Sequence, residues 1–171
     1  MPGGQRAGKI MFILDTENLI NTLKENNQTL WEYALNQEME RSGRTREELR
    51  EQMEQSLSVM ERSAQKARRE PVRSVSGLTG GNACLYEQYR QEGKSLLGEV
   101  ASLAVGMALS CSEINASMQC IVACPTAGSC GIVPAAVLAC AQSRGLDREC
   151  MVNALFTASA IGIIIGSRAT V

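Results

Sequence analysis

The sequence predicts an all-α fold, and three observations support this class. No stretch of useful length alternates apolar and polar residues as a half-buried strand would. The segments "TLWE" and "TREE" match the capping box, in which a Thr hydroxyl and a Glu carboxylate satisfy N–H groups of a first helical turn. Residues 1–98 carry 28 of the 35 charged side chains and residues 99–171 carry seven. We therefore expect charged amphipathic helices first and more buried helices afterwards.

The first expected element is a short amphipathic helix in "DTENLINTLKEN". Asp15 or Thr16 is suited to cap its N-terminus, because short polar side chains accept hydrogen bonds from the first helical N–H groups. Leu19, Ile20 and Leu23 recur at helical spacing and are predicted to form its buried side.

Two further helices are expected to begin after Thr29 and Thr45, where the capping boxes lie. The second of these is long, and Pro71 stops it because proline lacks the N–H that a continuing helix needs. Its apolar residues are spaced by three and four and predict a narrow core-facing stripe. The stripe comprises Leu49, Met53, Leu57, Met60, Ala64 and Ala67.

The second half is interior-like and is expected to form buried helices. Residues 94–124 predict one or two of them, ending at Cys124 because Pro125 disfavours helical geometry in the residue before it. Pro134 is tolerated in a first turn and places the next helix start near Gly131. Asp147 is suited to cap the last helix. That helix is interrupted by polar residues, and we expect a core helix rather than a membrane span.

Two loops are candidate binding elements. Between the prolines, "PTAGSCG" leads to a helix start whose free N–H groups and dipole favour an anion, aided by the hydroxyls of Thr126 and Ser129. The alternative is that Ser129 only caps the helix and the glycines only make the turn. The segment "SGLTGG" is either a second backbone cradle or a tight connection. Composition leaves both alternatives open.

The cysteines are expected to be small buried residues rather than metal ligands. Cys120, Cys124, Cys130 and Cys140 are separated by three, five and nine residues, unlike zinc ribbons or ferredoxins. A thiolate metal-binding module using the first three is the alternative. The same interpretation as small buried residues applies to the others, which are Cys84, Cys111 and Cys150.

Composition also limits the compartment and the partners. The net charge of -1 and the scarcity of aromatic residues argue against nucleic acid as a partner. Seven cysteines without signal-peptide features predict a cytoplasmic protein. We expect a disordered or extended leader at residues 1–14 and one domain at residues 15–171. That domain divides into a helical entry (15–70) and a part with buried helices and loops (71–171).

Three stretches carry a resemblance: "SGLTGGNA", "GKSLLG" and "EINASMQCIVACPTAGSCGIVPAAV". In this order and spacing the chain resembles the α chain of iron–sulfur-dependent L-serine dehydratases, which are L-serine ammonia-lyases. The resemblance implies a helical fold, a role in serine catabolism and gluconeogenesis, and a 4Fe–4S cluster that acts as a Lewis acid on the serine hydroxyl. It implies that the cluster cysteines lie beyond Val171, with no metal ligand in this chain. It also implies L-serine as substrate, a β chain or β domain as partner, and an oligomeric enzyme.

The resemblance also assigns site residues. Lys94 is a base or a carboxylate partner, with a solvated surface lysine as the alternative. Cys130 stands where the family usually has a small Ser or Ala, which favours a space-filling role. The alternative function is a non-enzymatic helical fragment that only associates with other chains. The predicted walls of the serine site are Ser76, Thr79, Gly80, Thr126, Gly128 and Ser129.

Overall fold

The structure, a computed structural model, describes residues 15–168 and confirms the all-α class. The leader expected at residues 1–14 lies outside the described residues. Within the described range, extended pairing is limited to one isolated bridge between Arg73 and Gly80. The helices are α1 (Thr16–Glu25), α2 (Leu30–Ser42), α3 (Arg46–Arg69), α4 (Asn82–Gln91), α5 (Glu99–Ala116), α6 (Ile132–Arg144) and α7 (Arg148–Arg168), with a 3-10 turn at Ala127–Ser129.

The described residues fall into two compact units, of which one contains residues 15–51 and 155–168. Asp15 caps α1 as predicted, its carboxylate accepting a 3.0 Å hydrogen bond from Asn18 N. Leu19 is buried, but Ile20 is 45% exposed, so the predicted buried side of α1 is wrong at Ile20. The reason is geometric: neighbouring residues on a helix point about 100° apart, and only one of the two faces the core.

Both predicted capping boxes are confirmed. At the start of α2, Thr29 N donates to a Glu32 carboxylate oxygen at 2.9 Å. At the start of α3, Thr45 N donates to Glu48 at 2.8 Å, and Glu48 N returns a 3.2 Å bond to the Thr45 hydroxyl. These bonds satisfy N–H groups that have no acceptor inside the helix, and they define where the two helices begin.

The other unit contains residues 52–154, and its core joins α3 to α5. The predicted stripe of α3 is buried at Leu57 and Ala67, and Ala67 packs in a cluster with Ile114. The Ser110 hydroxyl donates to Ser63 O at 2.6 Å and accepts from Ala67 N at 3.0 Å. Residues 63 and 67 are one helical hydrogen-bond step apart, so Ser110 inserts into the ladder of α3. This bond holds α5 against α3.

Helix α5 begins at Glu99 and ends at Ala116, so the prediction that helix extends over residues 94–124 is wrong at both ends. Met118 has a φ of +60°, and its N–H donates to Asn115 O, while Gln119 N donates to Ile114 O. A residue in the left-handed region with these bonds closes a helix, and apolar composition alone did not reveal it. Residues 117–126 are not helical, and Cys120 and Cys124 share no helical face.

Helix α6 begins at Ile132 with Pro134 in its first turn, as predicted. Its start lies very close to α5, because a Cβ built on Gly131 would lie 2.7 Å from Ala108 O. Glycine is therefore required here by the approach of the two backbones.

Helix α7 is capped as predicted, with Cys150 N donating to Asp147 Oδ1 at 2.8 Å. By length and composition Arg148–Ser167 is apolar enough to cross a membrane, and 22% of its most apolar window is buried. The expected core helix is wrong for its last turns, where Ile161, Ile163 and Ile165 are 45–61% exposed. Residues two apart on a helix point about 200° apart, so Ile163 cannot lie on the same side as Ile161 and Ile165.

Candidate functional site

The SGLTGG segment is a tight turn closed by its own backbone. Ser74 N donates to Thr79 O at 2.9 Å, and Gly81 N donates to Val72 O at 3.2 Å. A Cβ on Gly80 would lie 2.1 Å from Val72 O, and the φ of Gly80 is +132°, so only glycine fits. Gly80 therefore has a demonstrable structural role in bringing the two sides of the turn together.

Most N–H groups of this turn are already bonded within the protein. Leu78 N donates to the Ser76 hydroxyl, and Thr79 N donates to the Ser74 hydroxyl. Those two hydroxyls lie 3.1 Å apart. The side chains of Ser76 and Thr79 are exposed, so they remain accessible to a bound molecule although the backbone is largely occupied.

The N-terminus of α4 follows this turn and is capped from a distance. Its N-cap residue, Gly81, has no side chain to offer. Instead, one carboxylate oxygen of Glu113 accepts hydrogen bonds from Asn82 N at 2.6 Å and Ala83 N at 3.2 Å. The negative charge lies at the positive end of the helix dipole, where it is stabilised. The N–H groups of Asn82 and Ala83, which could otherwise bind an anion after the SGLTGG turn, are therefore occupied by the Glu113 carboxylate.

The PTAGS turn is organised by a reciprocal pair of hydroxyl residues. Ser129 N donates to Thr126 Oγ1, and Thr126 N donates to Ser129 Oγ, each at 3.3 Å. The two hydroxyl oxygens lie 3.0 Å apart, and Ser129 Oγ also donates to Cys124 O at 3.2 Å. These bonds enclose the 3-10 turn, and the Thr126 and Gly128 positions are exposed.

Ser129 does not cap α6, so this alternative interpretation of Ser129 is wrong. The N-cap of α6 is Gly131, which has no side chain for the purpose. Ile132 and Val133 are the first two helical residues, and their N–H groups have no acceptor inside the helix. Pro134 contributes no N–H, and Ala135 N bonds back to Gly131 O. The first turn of α6 therefore offers two N–H groups beside the PTAGS turn, at the positive end of a helix.

Both loops are attached to the C-terminal turn of α5. Asn115 Nδ2 donates to Ala127 O in the PTAGS turn at 3.0 Å. Val75 N, directly before the SGLTGG turn, donates to Ala116 O at 3.0 Å. With Glu113 bonded to α4, three residues of one helical turn hold both predicted loops. The structure thus brings Ser76, Thr79 and Gly80 to the same helix end as Thr126, Gly128 and Ser129.

Lys94 lies in the turn after α4, where its ammonium pairs with the Glu92 carboxylate. The Lys94 side chain is 62% exposed. This environment is that of a solvated surface lysine.

The family model for the serine dehydratase α chain matches residues 25–171. The chain belongs to the serine dehydratase α-chain family. Among curated relatives, it is 40% identical over 157 residues to the probable L-serine dehydratase α chain of Bacillus subtilis (strain 168). It is 35% identical over 152 residues to the L-serine dehydratase α chain of Peptoniphilus asaccharolyticus.

These alignments cover 92% and 89% of this chain, but only 52% of each relative. The chain therefore spans about half the length of these serine dehydratase α chains. No solved structure matches it.

The seven cysteines all lie within the described residues and differ in burial. Within the described residues, no group of three or more His, Cys, Asp or Glu side chains is arranged to hold a metal ion. Cys111 and Cys130 are buried, which confirms the expectation of small core residues at those positions. Cys120, Cys140 and Cys150 are exposed, so that expectation is wrong for them. Their exposure follows from packing between helices, which residue type alone does not determine.

The thiols that are buried or half-buried between Cys111 and Cys130 have raised pKa values. Burial raises the pKa of Cys111 to about 11, and the hydrogen bond with Ser63 only partly opposes this. Burial also raises the pKa of Cys124, with a smaller contribution from Cys130. Thiols with raised pKa values are poor nucleophiles at neutral pH. We therefore assign no chemistry to these sulfurs.

A polar cavity of about 560 Å³ lies apart from the two loops. It contains part of a buried ion network in which Arg68 and Arg90 both pair with Glu87, at 2.9 and 2.7 Å. Gln91 adds a 3.1 Å hydrogen bond to the same carboxylate. The network connects α3 to α4 and is a structural feature of the unit that carries the loops. The cavity is lined by Gln65, Arg68, Arg69, Cys84, Glu87, Gln88, Gln91 and Gln142.

Sequence reasoning missed Glu113 and Asn115 as site-organising residues. Both lie in the "EINASM" block that carries the family resemblance, but no role was predicted for either. A useful signal was available in Glu113, because a carboxylate within an otherwise apolar helix needs a buried partner.

Proposed function

We propose that this chain is part of an L-serine ammonia-lyase, which converts L-serine to pyruvate and ammonia, and that it supplies part of the substrate site. The observation that carries the proposal is the attachment of both loops to one turn of α5. Family membership and the names of the relatives support the substrate.

The first turn of α6 is proposed to bind the substrate carboxylate. It presents the N–H groups of Ile132 and Val133 at the positive end of the helix, next to the hydroxyls of Thr126 and Ser129. Such N–H groups, supported by the helix dipole, bind anions well. A bound carboxylate would orient the rest of L-serine relative to the SGLTGG turn.

The reaction removes the Cα proton and the β-hydroxyl of L-serine. The resulting aminoacrylate tautomerises to an imine, and hydrolysis of the imine gives pyruvate and ammonia. The chain's contribution is orientation. When the substrate is held in one geometry, its rotational and translational entropy is lost on binding and need not be lost again in reaching the transition state. Ser76 and Thr79 are proposed to line the site opposite the carboxylate. Lys94 stays a prediction as base or carboxylate partner, although its pairing with Glu92 favours a surface role.

A 4Fe–4S cluster is proposed as the Lewis acid of the complete enzyme. The described residues of this chain do not fit it, because they contain no suitable group of ligands. We propose that the cluster ligands lie in the part of the relatives' length that this chain does not cover, and no step of the chain's own chemistry is derived from the cluster. The relatives are named α chains, which supports a β chain or β domain as partner. We further propose an oligomeric cytoplasmic enzyme.

A second candidate function is association without catalysis. It is favoured by large apolar side chains on the surface, such as Leu78 at 88% and Met118 at 83% exposed. In this case the chain would bind other chains and would contribute nothing to a serine site.

Anaerobic reconstitution with iron and sulfide distinguishes these functions. It would be applied to this chain alone and to an α chain of the relatives' full length that includes it, together with the β partner. We expect a 4Fe–4S absorption band and pyruvate formation only in the longer assembly. Cys130→Ser and Cys140→Ala in that assembly should leave the iron content unchanged. A cluster on this chain alone would favour the thiolate module, and an inactive full assembly would favour association.

A further inference from the structure

Glu113 links two helices that are far apart in sequence. Its Oε1 atom accepts hydrogen bonds from Asn82 N at 2.6 Å and Ala83 N at 3.2 Å, across separations of 31 and 30 residues. A Ser, Thr, Asp or Asn at the N-cap position would satisfy such N–H groups locally. The N-cap residue is Gly81 instead, so the cap of α4 also attaches α4 to α5.

This link contains a buried charged group. Glu113 is 8% exposed, and its second oxygen, Oε2, has no hydrogen-bond partner within the described residues. Burying a carboxylate costs free energy unless all its acceptor positions are satisfied. The two N–H groups and the helix dipole offset this cost on one side only. For stability alone, a less costly contact between α4 and α5 would be an apolar one.

The position of Glu113 in α5 suggests what the link does. The next residues of the same turn, Asn115 and Ala116, hold the PTAGS turn and the SGLTGG turn respectively. Ala116 bonds near the start of the SGLTGG turn and Glu113 bonds immediately after its end. One turn of α5 therefore fixes the SGLTGG turn at both sides and the PTAGS turn at its centre. We call Glu113, Asn115 and Ala116 the α5 bracket.

We propose that Glu113 is a positioning residue for the L-serine site, which sets the separation of the SGLTGG and PTAGS turns through the α5 bracket. This inference rests on the proposed function. The physical reason is that a displacement of about 1 Å in a substrate-holding group can lower a rate about a hundredfold. Without the bond to Asn82 and Ala83, the SGLTGG turn keeps its hydrogen bond through Val75 and the packing of Val72 and Ala83 against Ile114, neither of which fixes the N–H groups at the end of the turn.

Amide hydrogen exchange in the assembled enzyme tests the link without using activity. Glu113→Ala should speed exchange at Asn82 and Ala83 by about tenfold or more, since it removes hydrogen bonds to a charged group. Glu113→Gln keeps an oxygen acceptor and should stay within about threefold of the parent. The charge-matched control is Glu99→Ala, which lies about 21 Å away along the same helix and should leave these two amides unchanged.

Steady-state kinetics test whether the link positions the site. Glu113→Ala should raise the KM for L-serine by about tenfold or more, with a smaller effect on kcat, because loop placement affects substrate binding first. Glu113→Gln should restore a KM near that of the parent, because it keeps the oxygen acceptor. This rescue would not occur if the negative charge of Glu113, rather than its hydrogen bonds, were what the site needs. If Glu113→Ala does not fold, Glu113→Asp carries the test, because it keeps the charge but is too short to reach both N–H groups.

Two results would overturn the inference. One is unchanged exchange at Asn82 and Ala83 in the Glu113→Ala and Glu113→Asp variants. The other is an unchanged KM despite faster exchange at these amides. A parent enzyme that makes no pyruvate from L-serine would instead overturn the proposed function. That failure is visible before any variant is made, so the two failures are distinguishable.

Discussion

The Asn115 side-chain amide donates a 3.0 Å hydrogen bond to the carbonyl oxygen of Ala127. Asn115 lies in the last turn of α5, and Ala127 is the first residue of the 3-10 turn that displays Thr126 and Ser129. The PTAGS turn is therefore held from outside as well as by its own capping box. A substrate loop with two such constraints is preorganised, which lowers the entropy cost of binding.

An added methyl group should affect stability strongly at one glycine of this region and little at another. Gly131→Ala would place a Cβ 2.7 Å from Ala108 O and should cost about 1–3 kcal/mol of unfolding free energy through overpacking. At Gly128 the nearest atom to an added Cβ is Thr126 Oγ1 at 3.8 Å, so Gly128→Ala should change stability by less than about 0.5 kcal/mol.

The same pair separates structure from substrate binding. Gly128→Ala should raise the KM for L-serine if Gly128 lines the site, although the protein melts normally. Thermal unfolding and steady-state kinetics on both variants check this. Normal kinetics in Gly128→Ala would remove that residue from the site, and normal stability in Gly131→Ala would contradict the close packing of α6 on α5.

The Glu87 network predicts acid sensitivity. Burial alone would raise the pKa of Glu87, but hydrogen bonds from Arg90 and Arg68 outweigh it and lower the pKa from 4.5 to about 2. A depressed folded-state pKa stabilises the fold above the unfolded value, and this stabilisation is lost as pH falls from about 4.5 towards about 2. Glu87→Gln should therefore lower the unfolding free energy at pH 7, by about 3 kcal/mol for a broken buried pair.

Urea titrations between pH 3 and pH 7 would measure this. The parent should lose stability as the pH falls towards 3, and Glu87→Gln should show a flatter dependence. The exposed pair Arg41–Glu38 provides a control, since Glu38→Gln should cost little. Equal pH slopes in the parent and Glu87→Gln would show that this carboxylate does not supply the acid sensitivity.

Thiol reactivity should divide the cysteines by burial. Cys120 and Cys140 are exposed and should react with iodoacetamide first at pH 8. Cys150 is also exposed but should react more slowly than these two, because its hydrogen bond with Asp147 raises the pKa of its thiol. Cys111 should react last, because it is buried and its pKa is raised to about 11. Peptide mass spectrometry over a time course measures the order. Rapid labelling of Cys111 in the folded protein would contradict its burial on the side of α5 that faces Ser63 of α3.

The isolated chain should self-associate. Several large apolar side chains are exposed, among them Leu96 at 100% and Leu78 at 88%, and burying such side chains between chains would be favourable. We expect a helical circular dichroism spectrum, binding of a hydrophobic dye, oligomers in sedimentation, and no pyruvate from L-serine. A monomer that binds no dye and melts cooperatively would show that these side chains are compatible with an independent soluble fold.

Helix starts could be predicted from the sequence because caps are local. The pairs Thr29–Glu32 and Thr45–Glu48 are three residues apart, and their hydrogen bonds form wherever the helix goes. Asp147 is a third case, with its bond to Cys150 N. The glycine and proline pattern likewise predicted a helix start near Gly131, and α6 begins at Ile132.

Long-range relationships could not be predicted in this way. The contact between Glu113 and Asn82 spans 31 residues and depends on how α5 packs against α4. The exposure of Cys140 depends on which face of α6 is covered, and Ile20 is exposed for the same kind of reason. Local patterns give helix faces their apolar character, but neighbouring elements decide which face is buried.

The central claim is that the PTAGS turn binds L-serine, and a Thr126 pair tests it most directly. Thr126→Val keeps the side-chain shape but removes the hydroxyl, whereas Thr126→Ser keeps the hydroxyl. In the assembled enzyme, we expect Thr126→Val to lower kcat/KM for L-serine by the equivalent of about 1.5–3 kcal/mol, as for loss of a hydrogen bond to a charged group. Thr126→Ser should stay within about threefold of the parent. Parental kcat/KM values in a folded Thr126→Val enzyme would contradict the account.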